Sequence, residues 1–381
     1  MSASLTAQGC RARQSRLWDA VAASVDLIAI TEPVHINYLC GFYPSPFSFG
    51  TAGGSAILWL SRARGAVLVT DNILEQYALD GALDEVVAPV WYDCSEEAPR
   101  RRALIVKAAA ECLARWQPSG VGYEPSTAPA ALIDGVQAPL TDIEPALLTM
   151  RRRKDDDEVA VMRRAMRAGA RALDTIRRET TPGTTELEIY GTLHRIARED
   201  AGEAVLMYGD ILSGPRCLQV GGFATERQVE VGDPVLIDLS VILAGYRCDI
   251  ANTFRCGAAP TDTQRLFHGL CLTAMAAAEA ALVAGGSAAD VDAAARGTFE
   301  RERVAEHFPH HSGHGIGLTH PEAPFFLPGS NDVLEPGNVV TVEPGLYAHE
   351  SGGMRFERNY LVTEGAPEVL TPHQLEMAQD A

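Results

Sequence analysis

The sequence contains no apolar run of about 18 or more residues, and its N-terminus has no basic segment followed by an apolar stretch. A helix that crosses a membrane needs such a run, and a secretory signal needs that order of charge and hydrophobicity. Both features are missing, so we expect no membrane association and a cytoplasmic location.

Basic residues are also scarce, since 32 Lys and Arg stand against 50 Asp and Glu, for a net charge of -18. Phosphate backbones are bound by clustered Lys and Arg. The balance therefore disfavours a nucleic-acid partner.

The eight cysteines form no Cys-x-x-Cys pair, which argues against a zinc knuckle or a dithiol redox motif. We expect reduced and mostly buried thiols. The cysteines are Cys10, Cys40, Cys94, Cys112, Cys217, Cys248, Cys256 and Cys271.

A chain of 381 residues with 46% hydrophobic and 22% charged residues has the composition of a globular protein and the length of two domains. Apolar, β-branched runs predict strands at residues 27–30, 55–60 and 66–70, and a helix is predicted over 102–116. The glycine-rich segment 50–55 is interpreted as a turn. A charge-dense segment at 151–158 then opens a long amphipathic helix. We expect domains at 1–150 and 151–381 and an α/β (α+β) fold.

In the second domain, helices are predicted over 185–199 and 263–283, and strands over 235–240, 248–254, 339–343 and 358–363. A turn at Gly245 would fold the first two of these strands into a hairpin.

Five residues that commonly bind metals follow one another along these elements: Asp238, Asp249, His314, Glu343 and Glu357. Asp238 interrupts an apolar strand pattern, where a lone carboxylate is costly to bury unless it is paired or metal-bound. The hairpin can direct Asp238 and Asp249 to one point, and an antiparallel pair can do the same for Glu343 and Glu357. These residues predict a single carboxylate-rich site.

Four carboxylates carry about four negative charges at neutral pH, which two divalent ions would neutralise. Oxygen ligands with one imidazole suit Mn²⁺ best, with Co²⁺, Zn²⁺ or Fe²⁺ as alternatives. Two such ions can activate a water and polarise a carbonyl, which predicts hydrolysis of a C–N bond.

The five residues each match one position of the ligand motif of the creatinase/aminopeptidase P/prolidase family, which the chain resembles over nearly its whole length. Residues 37–42, 150–159, 213–216 and 231–238 also resemble segments of that family. The resemblance implies a creatinase-like N-terminal domain, a C-terminal pita-bread catalytic domain, a homodimer and a small peptide or amide substrate, above all an Xaa-Pro peptide.

Family peptidases carry three further histidines around the metals, and this chain departs from that pattern. His310 is retained, but Gly221 and Pro321 occupy the other two positions, with His320 displaced by one residue. In a loop His320 could still reach the site, whereas on a strand it would point to the opposite face.

The resemblance also gives Arg355 and Tyr347 places beside the metals, and His307, His311 and His349 are expected at the surface. In this interpretation Glu343 or Glu357 accepts a proton, His310 stabilises the developing oxyanion, and His320 and Arg355 assist catalysis. Two alternatives stay open. One is the same fold acting on a non-peptide molecule, as in creatinase, ectoine hydrolase or dimethylsulfoniopropionate lyases. The other is a metal-free binding module.

Overall fold

The structure, a computed structural model, describes residues 4–44, 56–78 and 81–379. It divides into two compact units, Ser4–Arg151 and Arg152–Ala381. The turn predicted at 50–55, together with the first residue of the strand predicted at 55–60, lies outside the described residues.

The N-terminal unit is built on a six-stranded sheet with the order β4-β3-β2-β1-β5-β6. Strands β1, β2 and β3 are antiparallel neighbours, while β4, β5 and β6 join the sheet in parallel pairs. The strands are β1 (Leu27–Ile30), β2 (Ile57–Ser61), β3 (Gly65–Val69), β4 (Glu85–Val87), β5 (Val121–Tyr123) and β6 (Leu140–Asp142).

Helices cover this sheet, and α3 packs an apolar stripe against a core that contains Trp59. Arg102, Lys107, Glu111 and Arg115 lie on the exposed side of α3, as expected for an amphipathic helix at the surface. The helices are α1 (Ala7–Ala20), α2 (Pro33–Cys40), α3 (Arg101–Trp116), α4 (Ala130–Ile133) and α5 (Glu144–Arg152).

The C-terminal unit contains two larger antiparallel sheets and a hairpin. The first sheet has the order β10-β8-β7, with β9 beside β8, and the second has the order β12-β11-β13-β16-β17. The strands are β7 (Leu206–Ser213), β8 (Pro234–Leu243), β9 (Tyr246–Arg247), β10 (Ile250–Arg255), β11 (Gly313–Gly315), β12 (Glu322–Phe326), β13 (Val339–Val342), β14 (Gly345–Ala348), β15 (Gly352–Arg355), β16 (Arg358–Leu361) and β17 (Glu368–Val369).

Four long helices accompany these sheets: α6 (Asp156–Glu179), α7 (Glu186–Ala201), α8 (Asp262–Ala281) and α9 (Ala288–Arg301). The charge-dense segment supplies the start of α6, where Asp155 and Glu158 form a capping box. Such a box satisfies backbone N–H groups that would otherwise lack partners at the first turn. Helices α8 and α9 contribute to one apolar core with β13, β14, β15 and β16.

Strand β7 and helix α9 were not predicted from the sequence. Gly209 and Asp210 lie inside β7, and both residue types are depleted in strands. Within the described residues, no helix is long and apolar enough to cross a membrane.

Candidate metal centre

Asp238 and Asp249 are brought together by the β8–β9–β10 hairpin. Ala244 and Gly245 both have positive φ angles, which suits a tight two-residue turn. Asp238 lies opposite Ala251 in the register, and Asp249 is two residues before Ala251. Both carboxylates are therefore on one face of the sheet.

His314 lies on β11, where its Nδ1 donates to the carbonyl of Gly315 at 2.9 Å. That bond leaves the Nε2 lone pair available for a metal. Gly313 precedes it with φ +156°, and a Cβ there would lie 2.0 Å from the Thr341 carbonyl oxygen. The strands can approach this closely because residue 313 is glycine.

Glu343 and Glu357 directly flank the paired ends of β13 and β16, where Val342 lies opposite Arg358. Backbone bonds hold each in place, from the Glu343 N–H to the Ser312 carbonyl and from the Glu357 N–H to the Ala251 carbonyl, each at 3.0 Å. The hydroxyl of Thr341 donates to Glu357 Oε1.

The five predicted ligands fall into three overlapping triads, and within each the ligand atoms lie within 4.8 Å of one another. Asp249 and His314 each belong to two of the triads. The triads also include two residues outside the predicted ligand set, His311 and His320. The triads are Asp238, Asp249 and Glu357; Asp249, His314 and His320; and His311, His314 and Glu343.

The chemistry of this donor set fits divalent cations. Asp249, His314, Glu343 and Glu357 are buried, and Glu357 Oε2 has no hydrogen-bond partner among the described residues. A buried carboxylate oxygen without a donor is costly, and a metal ion removes that cost.

The protonation of the carboxylates reflects their crowding. Burial, with the charges of neighbouring carboxylates, raises the pKa of Asp238 to about 7 although Arg355 opposes the shift. Burial and the charges of Asp249, Asp238 and Glu343 raise the pKa of Glu357 well above its usual range. Burial alone would raise the pKa of Glu343, but the hydrogen bond from His311 and the adjacent histidines lower it to about 2.

His320 reaches this site from the loop before β12, and its Nε2 lies 2.7 Å from Asp249 Oδ2. Its ring packs edge-on against that of His314, with centroids 4.8 Å apart. The one-residue displacement therefore does not carry His320 away, because it precedes the strand that begins at Glu322.

His311 was expected at the surface; 36% of its side chain is exposed, but the ring also reaches the site. Its Nε2 lies 3.0 Å from Glu343 Oε1, and its ring is 5.2 Å from that of His314. The spacing of three residues between His311 and His314 was the available signal. His349 is exposed as expected, and His307 is partly buried against Phe267.

His310 and Arg355 also lie at the site. His310 Nδ1 bonds the carbonyl of His311 at 2.8 Å, its Nε2 is buried without a partner, and burial lowers its pKa to about 4. Arg355 pairs with Asp238, and its Nε donates to the Tyr347 hydroxyl at 2.9 Å. Gly221 and Pro321 occupy the two positions at which the resemblance led us to expect an imidazole.

Residues 160–364 match the family model of metallopeptidase family M24. Residues 16–152 match the family model of the creatinase/prolidase N-terminal domain. The Xaa-Pro dipeptidase of Pyrococcus furiosus is 30% identical over 235 residues, covering 62% of this chain and 67% of that protein. An uncharacterized peptidase of Bacillus subtilis is 24% identical over 352 residues, covering 91% of this chain and 94% of the relative.

Among solved structures, the Xaa-Pro dipeptidase from Bacillus anthracis superposes with a TM-score of 0.82 at 25% identity, covering 97% of this chain and 99% of that one. The X-Pro aminopeptidase from Thermotoga maritima gives a TM-score of 0.82 at 23% identity, covering 96% and 99% of the two chains. The predicted fold, a creatinase-like N-terminal domain followed by a pita-bread domain, is confirmed. The chain belongs to metallopeptidase family M24.

Proposed function

We propose that this chain is a dinuclear metal-dependent hydrolase of Xaa-Pro dipeptides or short Xaa-Pro peptides. The observation that carries the proposal is that Asp249 and His314 are shared among three ligand triads. Shared ligand residues suit two ions held close together, the arrangement used for hydrolysis. The relatives named as Xaa-Pro dipeptidases support the substrate class.

Asp238, Asp249, His314, Glu343 and Glu357 would hold the ions, with Mn²⁺ as the predicted metal. When bound, two such ions supply Lewis-acid polarisation of the scissile carbonyl and a water activated at neutral pH. Glu343 or Glu357 would accept a proton from the attacking water, and Arg355 orients Asp238 through their ion pair.

The hydrogen bond of His310 changes the role predicted for it. Neutral His310 donates its Nδ1–H to the His311 carbonyl, so Nε2 carries a lone pair and cannot donate to an oxyanion. We therefore assign to His310 the acceptance of a hydrogen bond or proton, and oxyanion stabilisation to His320 in its protonated form, which can donate from Nδ1 while its Nε2–H bonds Asp249.

The proposal is tested by incubating Mn²⁺-loaded protein with a library of dipeptides and small amides and identifying the products by mass spectrometry. Cleavage concentrated in Xaa-Pro peptides is the expected result. Cleavage confined to non-peptide amides would contradict the proposed peptide substrate but not the proposed metal site.

A second candidate is a C–N hydrolase or lyase that acts on a non-peptide small molecule with the same fold. It is favoured by Gly221 and Pro321, since a site with fewer imidazoles offers fewer groups for proton transfer to a departing amine. The same library distinguishes the two candidates.

The homodimer and the cytoplasmic location stay predictions from the sequence. Light scattering of the purified protein tests the first, and fractionation of the source cells tests the second.

A further inference from the structure

Asp210, which lies on β7, is the directly opposed neighbour of Asp238 across the sheet. Opposed residues of an antiparallel pair share a face, with Cβ atoms about 4.5–5.5 Å apart. Asp210 therefore lies on the same face as the metal centre, on β7, the strand next to β8 on the side away from β10. It belongs to none of the ligand triads found among the described residues.

Gly221 explains how this carboxylate fits. A Cβ at residue 221 would lie 2.7 Å from Asp210 Oδ2, so the carboxylate fills the space that a side chain at 221 would need. The backbone there is fixed by Ile211, whose N–H donates to the Gly222 carbonyl at 3.0 Å, and by Arg355, which donates to the Val220 carbonyl. At the position that the resemblance gives to an imidazole, this chain thus presents an anion.

No described residue neutralises that anion. The guanidinium of Arg355 is already occupied by Asp238, the Tyr347 hydroxyl and the Val220 carbonyl. Within residues 4–44, 56–78 and 81–379, no ion pair or hydrogen bond reaches the Asp210 side chain. An unpaired carboxylate beside other carboxylates favours a ligand that brings positive charge.

An exposed aromatic pair continues the same face outward. Tyr208 is two residues before Asp210 on β7, and its ring packs edge-on against Phe223 with centroids 6.1 Å apart. Their exposed fractions are 51% and 70%, so the two adjacent rings form an apolar patch at the surface. Aromatic faces can cover the methylene stem of a long side chain and attract its cationic end.

We infer that Asp210 selects a cationic side chain on the N-terminal residue of the substrate, so that the preferred peptides begin with Lys or Arg. This inference rests on the proposed function. The α-ammonium lies two bonds from the scissile carbonyl and must stay where the metal ligands converge. The carboxylate of Asp210, on the next strand, is within reach of a long substrate side chain. The methylene stem of that side chain would lie along Tyr208 and Phe223.

The test compares kcat/KM for Lys-Pro and norleucine-Pro, which share the α-ammonium and nearly the same stem but differ in side-chain charge. Wild type is expected to prefer Lys-Pro by about tenfold or more, the effect of one charge-assisted hydrogen bond. Asp210→Asn should bring the ratio close to one. Asp262→Asn, at an exposed aspartate of α8, should keep the wild-type ratio.

Two kinetic results would overturn the inference. Wild type could cleave both dipeptides equally well, or Asp210→Asn could lower both rates while the ratio stays unchanged. The second result would mean that Asp210 binds the α-ammonium of the substrate or has a purely structural role.

Failure of the proposed function would look different, because neither dipeptide would be cleaved. Calorimetric binding of the same dipeptides to Mn²⁺-loaded protein then decides the inference without turnover. Tighter binding of Lys-Pro that disappears in Asp210→Asn supports it, and equal binding overturns it.

Discussion

His320 Nε2 lies 2.7 Å from Asp249 Oδ2, so a histidine displaced by one residue from the family position still contacts a predicted metal ligand. Burial would lower the pKa of His320, but the hydrogen bond to Asp249 and the charge of that carboxylate raise it. On the basis of this contact we propose that His320 compensates for Pro321.

We expect His320→Ala to lower kcat on the best substrate by at least about tenfold, because one positioned hydrogen-bonding or acid–base group commonly contributes roughly 10² to 10⁴ in rate. Metal content should change little, since the five predicted ligands remain. Steady-state kinetics with elemental analysis measures both. His349→Ala, at an exposed histidine, is the control and should retain full activity.

A neutral result with rapid Xaa-Pro cleavage would show that this imidazole is not needed. A neutral result without Xaa-Pro cleavage would favour the non-peptide candidate.

Thr341→Val should weaken metal binding while preserving the core. The Thr341 hydroxyl donates to Glu357 Oε1, and valine has nearly the same shape but no donor. Loss of a group that orients a ligand commonly lowers metal affinity about 10- to 100-fold. Titration with Mn²⁺ measures the change. Thr273→Val, on the exposed side of α8, is the matched control. Unchanged affinity in Thr341→Val would mean that Glu357 does not bind the metal.

Metal should also stabilise the fold, because the ions bind the native carboxylate cluster and not the unfolded chain. At 100 times the Kd the gain is about 2.7 kcal/mol, which corresponds to an increase in Tm of roughly 5–10 °C for a domain of this size. Calorimetry in Mn²⁺ and in chelator measures the shift. It should be much smaller in His314→Ala, which should nevertheless keep the wild-type circular dichroism spectrum. An equal shift in this variant would place the metal elsewhere.

The sequence predicted those parts of the site that depend on local pattern. Asp238 and Asp249 follow from strands joined by a tight turn, Glu343 and Glu357 from an antiparallel strand pair, and His314 from the family resemblance. The two-domain α/β fold followed from periodicity, composition and the family resemblance.

Residues that reach the site through tertiary packing were harder to predict. His311 contacts Glu343 because β11 and β13 are neighbours, and its spacing of three residues from His314 was the one sequence signal for this contact. Asp210 was missed together with its strand, since glycine and aspartate weaken the strand pattern. Its position opposite Asp238 depends on register, which becomes visible only when both strands are known.

The central claim, that five residues hold two ions at which hydrolysis takes place, is tested most directly by titrating metal-free protein with Mn²⁺. Bound metal per chain and hydrolysis of an Xaa-Pro dipeptide are measured at every point of the titration. We predict saturation at two ions per chain by elemental analysis, with hydrolysis appearing as the sites fill and disappearing on chelation. Near-zero bound metal after Mn²⁺ loading, or hydrolysis that is unaffected by chelator, would contradict it.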